Sequence, residues 1–197
     1  MRFVPLLMST LVFSASAFAA EIREFDLKTL ERLGNELVRA SQRPDRGATD
    51  PVRKRARQTA IAAVKDRLFE VRYDYVVLDD SDGTGFLVYA LALADTKRMI
   101  QTGGHYRITV SADGGTVERI DFLSAFIQLK AQEPDIITST QHSSNFPAET
   151  WLYTSHVYRV PVLVGTKDRA VWIIANGKIH KDTKAEIDAL ESKAQKK

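Results

Sequence analysis

The spacing of apolar residues changes once along this chain, from helical before about residue 68 to alternating after residue 71. Before the change, apolar side chains recur three or four positions apart: Leu27, Leu30, Leu33, Leu37 and Val38. This spacing predicts a helix that begins after Asp26 as N-cap and ends near Ser41. Asp50-Pro51 has the cap and first-turn residues of a second helix, which we expect to run to about Leu68.

After the change, short alternating segments predict strands, and turn residues separate them. Val71 to Val77 alternates, and Phe86 to Ala94 is an unbroken apolar run typical of a strand covered on both faces. These two segments are predicted to form a hairpin around the turn residues 79–85, and two more hairpins are predicted at residues 106–122 around Ala112-Asp-Gly-Gly115 and at residues 170–180 around Asn176-Gly177. Between the last two hairpins, the sequence has a helix-compatible run over residues 123–129, a long connection to residue 149 that can hold a helical turn, and two strand-like runs over residues 151–166.

Two helices followed by six or seven strands predict an α+β fold in which the helices cover one face of an antiparallel sheet. This order of elements resembles the cystatin-like and NTF2-like rolls, folds that support many functions. We expect one domain over residues 20–182 and a marginal charged helix or tail over residues 183–197.

Residues 1–19 have the three parts of a cleavable secretory signal peptide. Arg2 is the basic start, Phe3 to Phe13 is mainly apolar, and Ala17-Phe18-Ala19 is a small-x-small cleavage site. The chain has no cysteine, which excludes a lipoprotein anchor, disulfides and thiolate metal sites. We therefore expect a soluble periplasmic or secreted protein without an integral membrane anchor.

Four cations crowd the first turns of the second predicted helix: Arg53, Lys54, Arg55 and Arg57. Arg53 and Arg57 fall on the stripe that Ala60 continues, so we expect this end either to project beyond the core or to dock against something acidic. Two interpretations remain open. The cations bind an acidic protein or an anionic envelope component, or they pair with acids of the same chain. Nucleic acid is not an expected partner. An exported protein is separated from the DNA and RNA of the cell, and no sequence signature of a nucleic-acid-binding module accompanies the cations.

The sequence predicts no catalytic residue, no metal site and no cofactor. Named nucleophile and phosphate-loop motifs are missing, Asp79 to Gly83 lacks the outer ligands of a calcium loop, and the four histidines have no ligand spacing. A non-enzymatic binding or accessory domain is the first hypothesis. Its alternative is an exported hydrolase or small-ligand enzyme, with His105, His156 and carboxylates gathered in a sheet concavity.

Overall fold

The computed structural model describes residues 21–96, 99–130 and 135–182. The predicted signal peptide and the predicted C-terminal helix or tail lie outside the described residues. The described part is α+β with mostly antiparallel sheets, which confirms the predicted class. Its elements are α1 (Leu27–Ser41), α2 (Pro51–Val64), β1 (Tyr73–Asp79), β2 (Phe86–Ala92), β3 (Met99–Thr102), β4 (Tyr106–Val110), β5 (Val117–Phe122), β6 (Ile127–Lys130), β7 (Ile137–Gln141), α3 (Thr150–Tyr158), β8 (Val162–Thr166), β9 (Val171–Ala175) and β10 (Lys178–Lys181).

Both N-terminal helices begin at the predicted caps. The side chain of Asp26 accepts the backbone N–H of Thr29 at 2.8 Å, and that of Asp50 accepts the backbone N–H of Arg53 at 2.9 Å. Each bond satisfies one of the free N–H groups of a first helical turn. α2 ends at Val64, slightly earlier than predicted, and a single 3₁₀ turn over Lys65–Arg67 follows it.

The strands form two four-stranded sheets and one two-stranded ribbon, where the sequence predicted a single sheet of six or seven strands. The first sheet has the antiparallel order β1-β2-β4-β5. The second has the order β10-β9-β8-β7, in which β7 and β8 are parallel, and β3 pairs with β6 in the ribbon. The predicted hairpins, β1–β2, β4–β5 and β9–β10, are confirmed.

The two N-terminal helices pack on opposite faces of the first sheet, so the expectation that they share one face is wrong. Along β2, Leu87, Tyr89 and Leu91 pack in the core that contains α1, α3 and the second sheet. Val88 and Ala90 pack in a smaller core beneath α2. Because alternate residues of a strand point to opposite faces, β2 is buried on both, as its unbroken apolar run predicts.

Three predictions for residues 123–166 are wrong. The helix-compatible run ends in strand β6, the long connection contains β7, and the first of the two strand-like runs is helix α3. α3 packs against α1, where the side chain of Leu152 fills the space beside Gly34; a Cβ atom at Gly34 would lie 2.5 Å from Leu152 Cδ1. Tertiary packing therefore overrides the strand preference of these aromatic and β-branched residues. None of the described helices has the length and apolar character needed to cross a membrane.

The loop between α1 and α2 lies on the outer edge of β1. Arg46 and Gly47 both have positive φ angles, 54° and 81°. The backbone N–H of Val77 in β1 donates to the carbonyl of Arg46 at 2.9 Å, and Arg46 Nε lies 2.5 Å from a carboxylate oxygen of Asp74. This loop brings the end of α1 and the beginning of α2 to the same end of β1.

Candidate basic groove

A groove of about 440 Å³ opens between the end of α1, the beginning of α2 and the end of β1. Three arginines line it: Arg39 from α1, Arg43 from the following loop and Arg53 from α2. Glu36 and Asp79 are the two acids on its walls. The groove thus joins one of the sequence-predicted site residues to two arginines that the sequence analysis did not single out.

Arg53 is held in place by residues of its own chain. Its guanidinium forms ion pairs with Asp79 and, at 3.4 Å, with Asp50, and it donates to the carbonyl of Gly47 at 3.2 Å. The guanidinium also lies 5.5 Å from the ring centre of Phe86. These contacts fix one side of the groove, and they agree with the interpretation in which a cation of α2 pairs with acids of the same chain.

Arg39 and Arg43 are exposed, and neither forms an ion pair with any residue that the structure describes. The nearby acids are already occupied, because Glu36 pairs with Arg32 at 3.1 Å and Asp79 pairs with Arg53. A cation in the last turn of a helix also interacts favourably with the helix dipole, which is a structural reason for Arg39. Even so, the groove retains two positive charges that no described acid neutralises.

Two further grooves adjoin the first along α1 and α3. The second, of about 560 Å³, shares Arg39 with the first. The third, of about 510 Å³, shares Val38 and His156 with the second and is lined by Arg159 at the end of α3. Arg159 has no ion pair among the described residues. We call the three adjoining grooves the basic track.

The other predicted site residues, Lys54, Arg55 and Arg57, do not line the basic track. Arg55 lies 3.8 Å from Asp113 in the β4–β5 turn, with both side chains more than half exposed. Lys54 is exposed, and Arg57 is partly buried with an Nε atom that has no hydrogen-bond partner in the described part of the chain. The four cations of α2 therefore point to different surroundings and do not form one patch.

The beginning of α2 packs on the first sheet, so the expectation that it projects beyond the core is wrong. Ala56 is fully buried and continues the stripe of Ala60 and Val64. Gly114 of the β4–β5 turn approaches the helix backbone so closely that a Cβ atom would lie 2.6 Å from the carbonyl oxygen of Val52. The buried stripe of α2 passes through Ala56, the residue before Arg57, and not through Arg57 itself. The helix therefore packs on the sheet from its first turns to its end.

The histidines of the alternative hypothesis have different surroundings. His105 is buried, its Nδ1 accepts the backbone N–H of Ala92 at 3.1 Å, and its ring meets Tyr153 edge-on at 6.2 Å. Burial lowers the pKa of His105 to about 4, which keeps the ring neutral. His156 is exposed and contacts the side-chain amide of Gln42 at 3.1 Å. Among the described residues, no hydrogen bond or ring contact joins the two histidines into one site.

The buried carboxylates surround an arginine. Arg107 of β4 is fully buried and pairs with Asp121 at 2.7 Å and with Glu149 at 2.8 Å. The hydroxyl of Tyr89 donates to Glu149 at 2.7 Å. Burial opposes the charge of Arg107, but Glu149, Tyr89 and Asp121 together raise its pKa. Asp121 also pairs with the partly exposed Arg119 at 2.6 Å, so the two carboxylates face two guanidinium groups, and we assign the cluster a structural role.

In residues 21–96, 99–130 and 135–182, no group of three or more His, Asp and Glu side chains is placed to hold a metal ion. Comparison of the chain with protein-family models, curated proteins and solved structures finds no match. The fold and the site define an α+β protein with a basic surface track.

Proposed function

We propose that this chain is an exported, non-enzymatic binding or accessory domain that binds an acidic segment of a partner protein in the basic track. One observation carries the proposal: Arg39 and Arg43 have no ion-pair partner among the described residues and line the same groove as Arg53. Arginine guanidinium groups bind carboxylates in a fixed two-pronged geometry, and an exposed pair without partners favours an anionic ligand.

The length of the track favours an extended ligand over a single anion. Arg43 lines the first groove and Arg159 the third, and Arg39 connects the first groove to the second. One carboxylate or phosphate reaches only the arginines around it, since an ion pair needs a separation of about 4 Å or less. An extended chain can reach all of them.

Apolar groups between the cations favour a polypeptide over a phosphate polymer. Val38 lines the second and third grooves, and Val160 and Pro161 line the third. A peptide can bury apolar side chains against these residues, whereas a chain of phosphates has none to bury.

The proposed location is the periplasm or the extracellular medium, on the basis of the signal-peptide pattern of residues 1–19.

Fluorescence anisotropy with residues 20–197 tests the proposal. The probe is a short labelled peptide in which glutamates alternate with valines, and inorganic polyphosphate is the competing ligand class. We expect the peptide to bind with an affinity that falls as salt is added. We expect R39E/R43E to weaken binding at least about tenfold, because each reversal turns an attraction into a repulsion.

The matched control is K54E/R55E, which reverses two exposed cations outside the track. We expect it to change peptide affinity by less than about twofold. If the control loses binding and R39E/R43E does not, the beginning of α2 is the site and the track is not. Binding of polyphosphate without binding of the peptide would overturn the acidic-protein part of the proposal.

A further inference from the structure

A second site lies away from the basic track, in a pocket of about 460 Å³ between the end of the β1–β2 pair, β3 and α3. It shares no lining residue with the three grooves of the track. Met99 and Gln101 line it from alternate positions of β3, and Tyr153 and Val157 line it from one face of α3. The pocket is therefore built by β3 and α3 together with the segment that follows β2, residues 93–96.

The walls of this pocket are largely apolar. Leu93, Met99 and Val157 contribute aliphatic or thioether surface to the walls. Val157 is 46% exposed, a high value for an apolar side chain. A volume of several hundred Å³ with apolar walls and a few polar groups is typical of a small-molecule site. The apolar body of a ligand fits against these residues.

The polar groups of the pocket include an acceptor without a donor. Gln101 is 2% exposed, and its side-chain N–H donates to the carbonyl of Gly103 at 2.9 Å. Its Oε1 is closed to solvent and accepts no hydrogen bond from the described residues. A buried carbonyl oxygen without a donor is unusual in a folded protein, and a small rotation of this side chain toward the pocket lets a ligand N–H supply the donor.

Tyrosine hydroxyls supply the complementary donors. The hydroxyl of Tyr158 accepts the backbone N–H of Gln101 at 2.8 Å, so its own proton remains to be donated. Burial raises the pKa of Tyr153 to about 12, so this phenol also stays protonated. Both rings line the pocket.

Two side chains of opposite charge lie at the rim of the pocket. Arg72 precedes β1 and Asp95 follows β2, and the antiparallel pairing of these strands brings both side chains to one opening. Both are exposed, and neither forms an ion pair with another described residue. The rim thus has one site for a carboxylate and one for an ammonium group.

From the apolar walls, the free acceptor and the opposite rim charges, we infer that this pocket binds a small zwitterion with an apolar body, of the class of the apolar α-amino acids. The carboxylate lies at Arg72, the ammonium group at Asp95 and Gln101, and the aliphatic side chain against Met99 and Val157. This inference does not depend on the proposed function of the basic track.

Three matched probes test it by NMR titration of residues 20–197: L-leucine, 4-methylpentanoate, which lacks the amine, and 3-methylbutylamine, which lacks the carboxylate. We expect leucine to bind at millimolar concentrations or below and to shift the amide signals of Gln101 and Tyr158. We expect each truncated probe to bind at least about fivefold more weakly, because one rim charge loses its partner.

R72Q and D95N test the rim, and R55Q is the matched control, an exposed arginine outside the pocket. We expect R72Q and D95N each to weaken leucine binding at least about fivefold and R55Q to leave it unchanged. Equal binding of leucine and 4-methylpentanoate would overturn ammonium recognition. The absence of any leucine-dependent shift in the wild-type protein, or unchanged leucine affinity in R72Q, would overturn the site itself.

Discussion

Arg107 and Glu149 form an ion pair at 2.8 Å in which both side chains are completely buried. Arg107 lies in the middle of the first sheet, and Glu149 directly precedes α3. The pair therefore joins a strand to a helix some forty residues further along the chain. The guanidinium also lies 4.7 Å from the ring centre of Phe25, which comes from the segment before α1.

Replacing Arg107 with methionine should strongly destabilise the fold. The variant R107M fills similar space but leaves Asp121 and Glu149 without their buried partner. Loss of one member of a buried pair costs about 3–5 kcal/mol, and we expect a loss of this size in the free energy of unfolding. Urea unfolding at neutral pH measures it.

R119M is the matched control, because Arg119 pairs with the same Asp121 at 2.6 Å while its side chain is 44% exposed. We expect the control to cost less than about 1 kcal/mol. Similar losses for R107M and R119M would contradict the structural role of the buried cluster.

His105 should make the fold less stable in mild acid. Its pKa falls from 6.5 to about 4 because it is buried, so the folded protein does not bind a proton that the unfolded chain takes up. The contribution of neutral His105 to the free energy of unfolding is fully present above about pH 6.5 and is lost as the pH falls to about 4. At about 1.36 kcal/mol per pKa unit, the loss amounts to about 3 kcal/mol.

Urea unfolding at a series of pH values, for wild type and H105Q, isolates this contribution. Glutamine does not titrate, and its oxygen can accept the N–H of Ala92 that His105 accepts. Other groups titrate in both proteins, so the difference between the two curves reports His105. Parallel curves between pH 4 and 7 would refute the prediction.

Gly47 should tolerate no side chain. Its φ angle is +81°, and a Cβ atom would lie 2.1 Å from the backbone carbonyl oxygen of Val77. Backbone strain and displacement of β1 should together cost G47A about 2–4 kcal/mol in thermal or urea unfolding. G165A is the control, since a Cβ atom at Gly165 would lie 3.7 Å from its nearest neighbour, and we expect it to change stability by less than about 1 kcal/mol.

Removing the two unpaired arginines should not destabilise the fold. R39Q/R43Q breaks no ion pair with a described residue and removes only the helix-dipole interaction of Arg39, so we expect the free energy of unfolding to change by no more than about 0.5 kcal/mol. R53Q, by contrast, removes the ion pair with Asp79 and the contact with the Phe86 ring and should cost about 1 kcal/mol. A larger loss in R39Q/R43Q than in R53Q would mean that Arg39 and Arg43 are structural.

Local signals were sufficient for the helix caps, the buried strand and the hairpins. Asp26 and Asp50 cap their helices through bonds to residues three positions ahead, and Asn176-Gly177 adopts positive φ angles of 51° and 75° at the β9–β10 turn. Each of these features is decided by a few adjacent residues. The sequence therefore predicted them.

Features that depend on distant residues could not be predicted in this way. α3 contains Trp151, Tyr153 and Val157, residues common in strands, and it is helical because it packs against α1. Arg107 occupies a polar position of an alternating strand, which indicates a solvent-facing side chain. It is buried because α3 and the segment before α1 cover that face.

Only part of the candidate site was visible in the sequence. Arg53 belongs to a dense basic run, whereas Arg39 and Arg43 are separate cations near the end of α1. Their spacing of four residues, with Arg39 outside the apolar stripe of α1 and Arg43 at the start of the loop to α2, is a signal that could have identified them. The contact of that loop with β1 brings them to Arg53.

The buried cluster also bears on the order in which the chain can fold. Glu149 directly precedes α3, and its counter-ion Arg107 comes from β4 of the first sheet. A chain that docks α3 before β4 has joined the sheet would bury Glu149 without a counter-charge, which is unfavourable. The first sheet should therefore form before α3 docks, and a polypeptide still emerging from a ribosome or a pore cannot complete the cluster until most of its length is present.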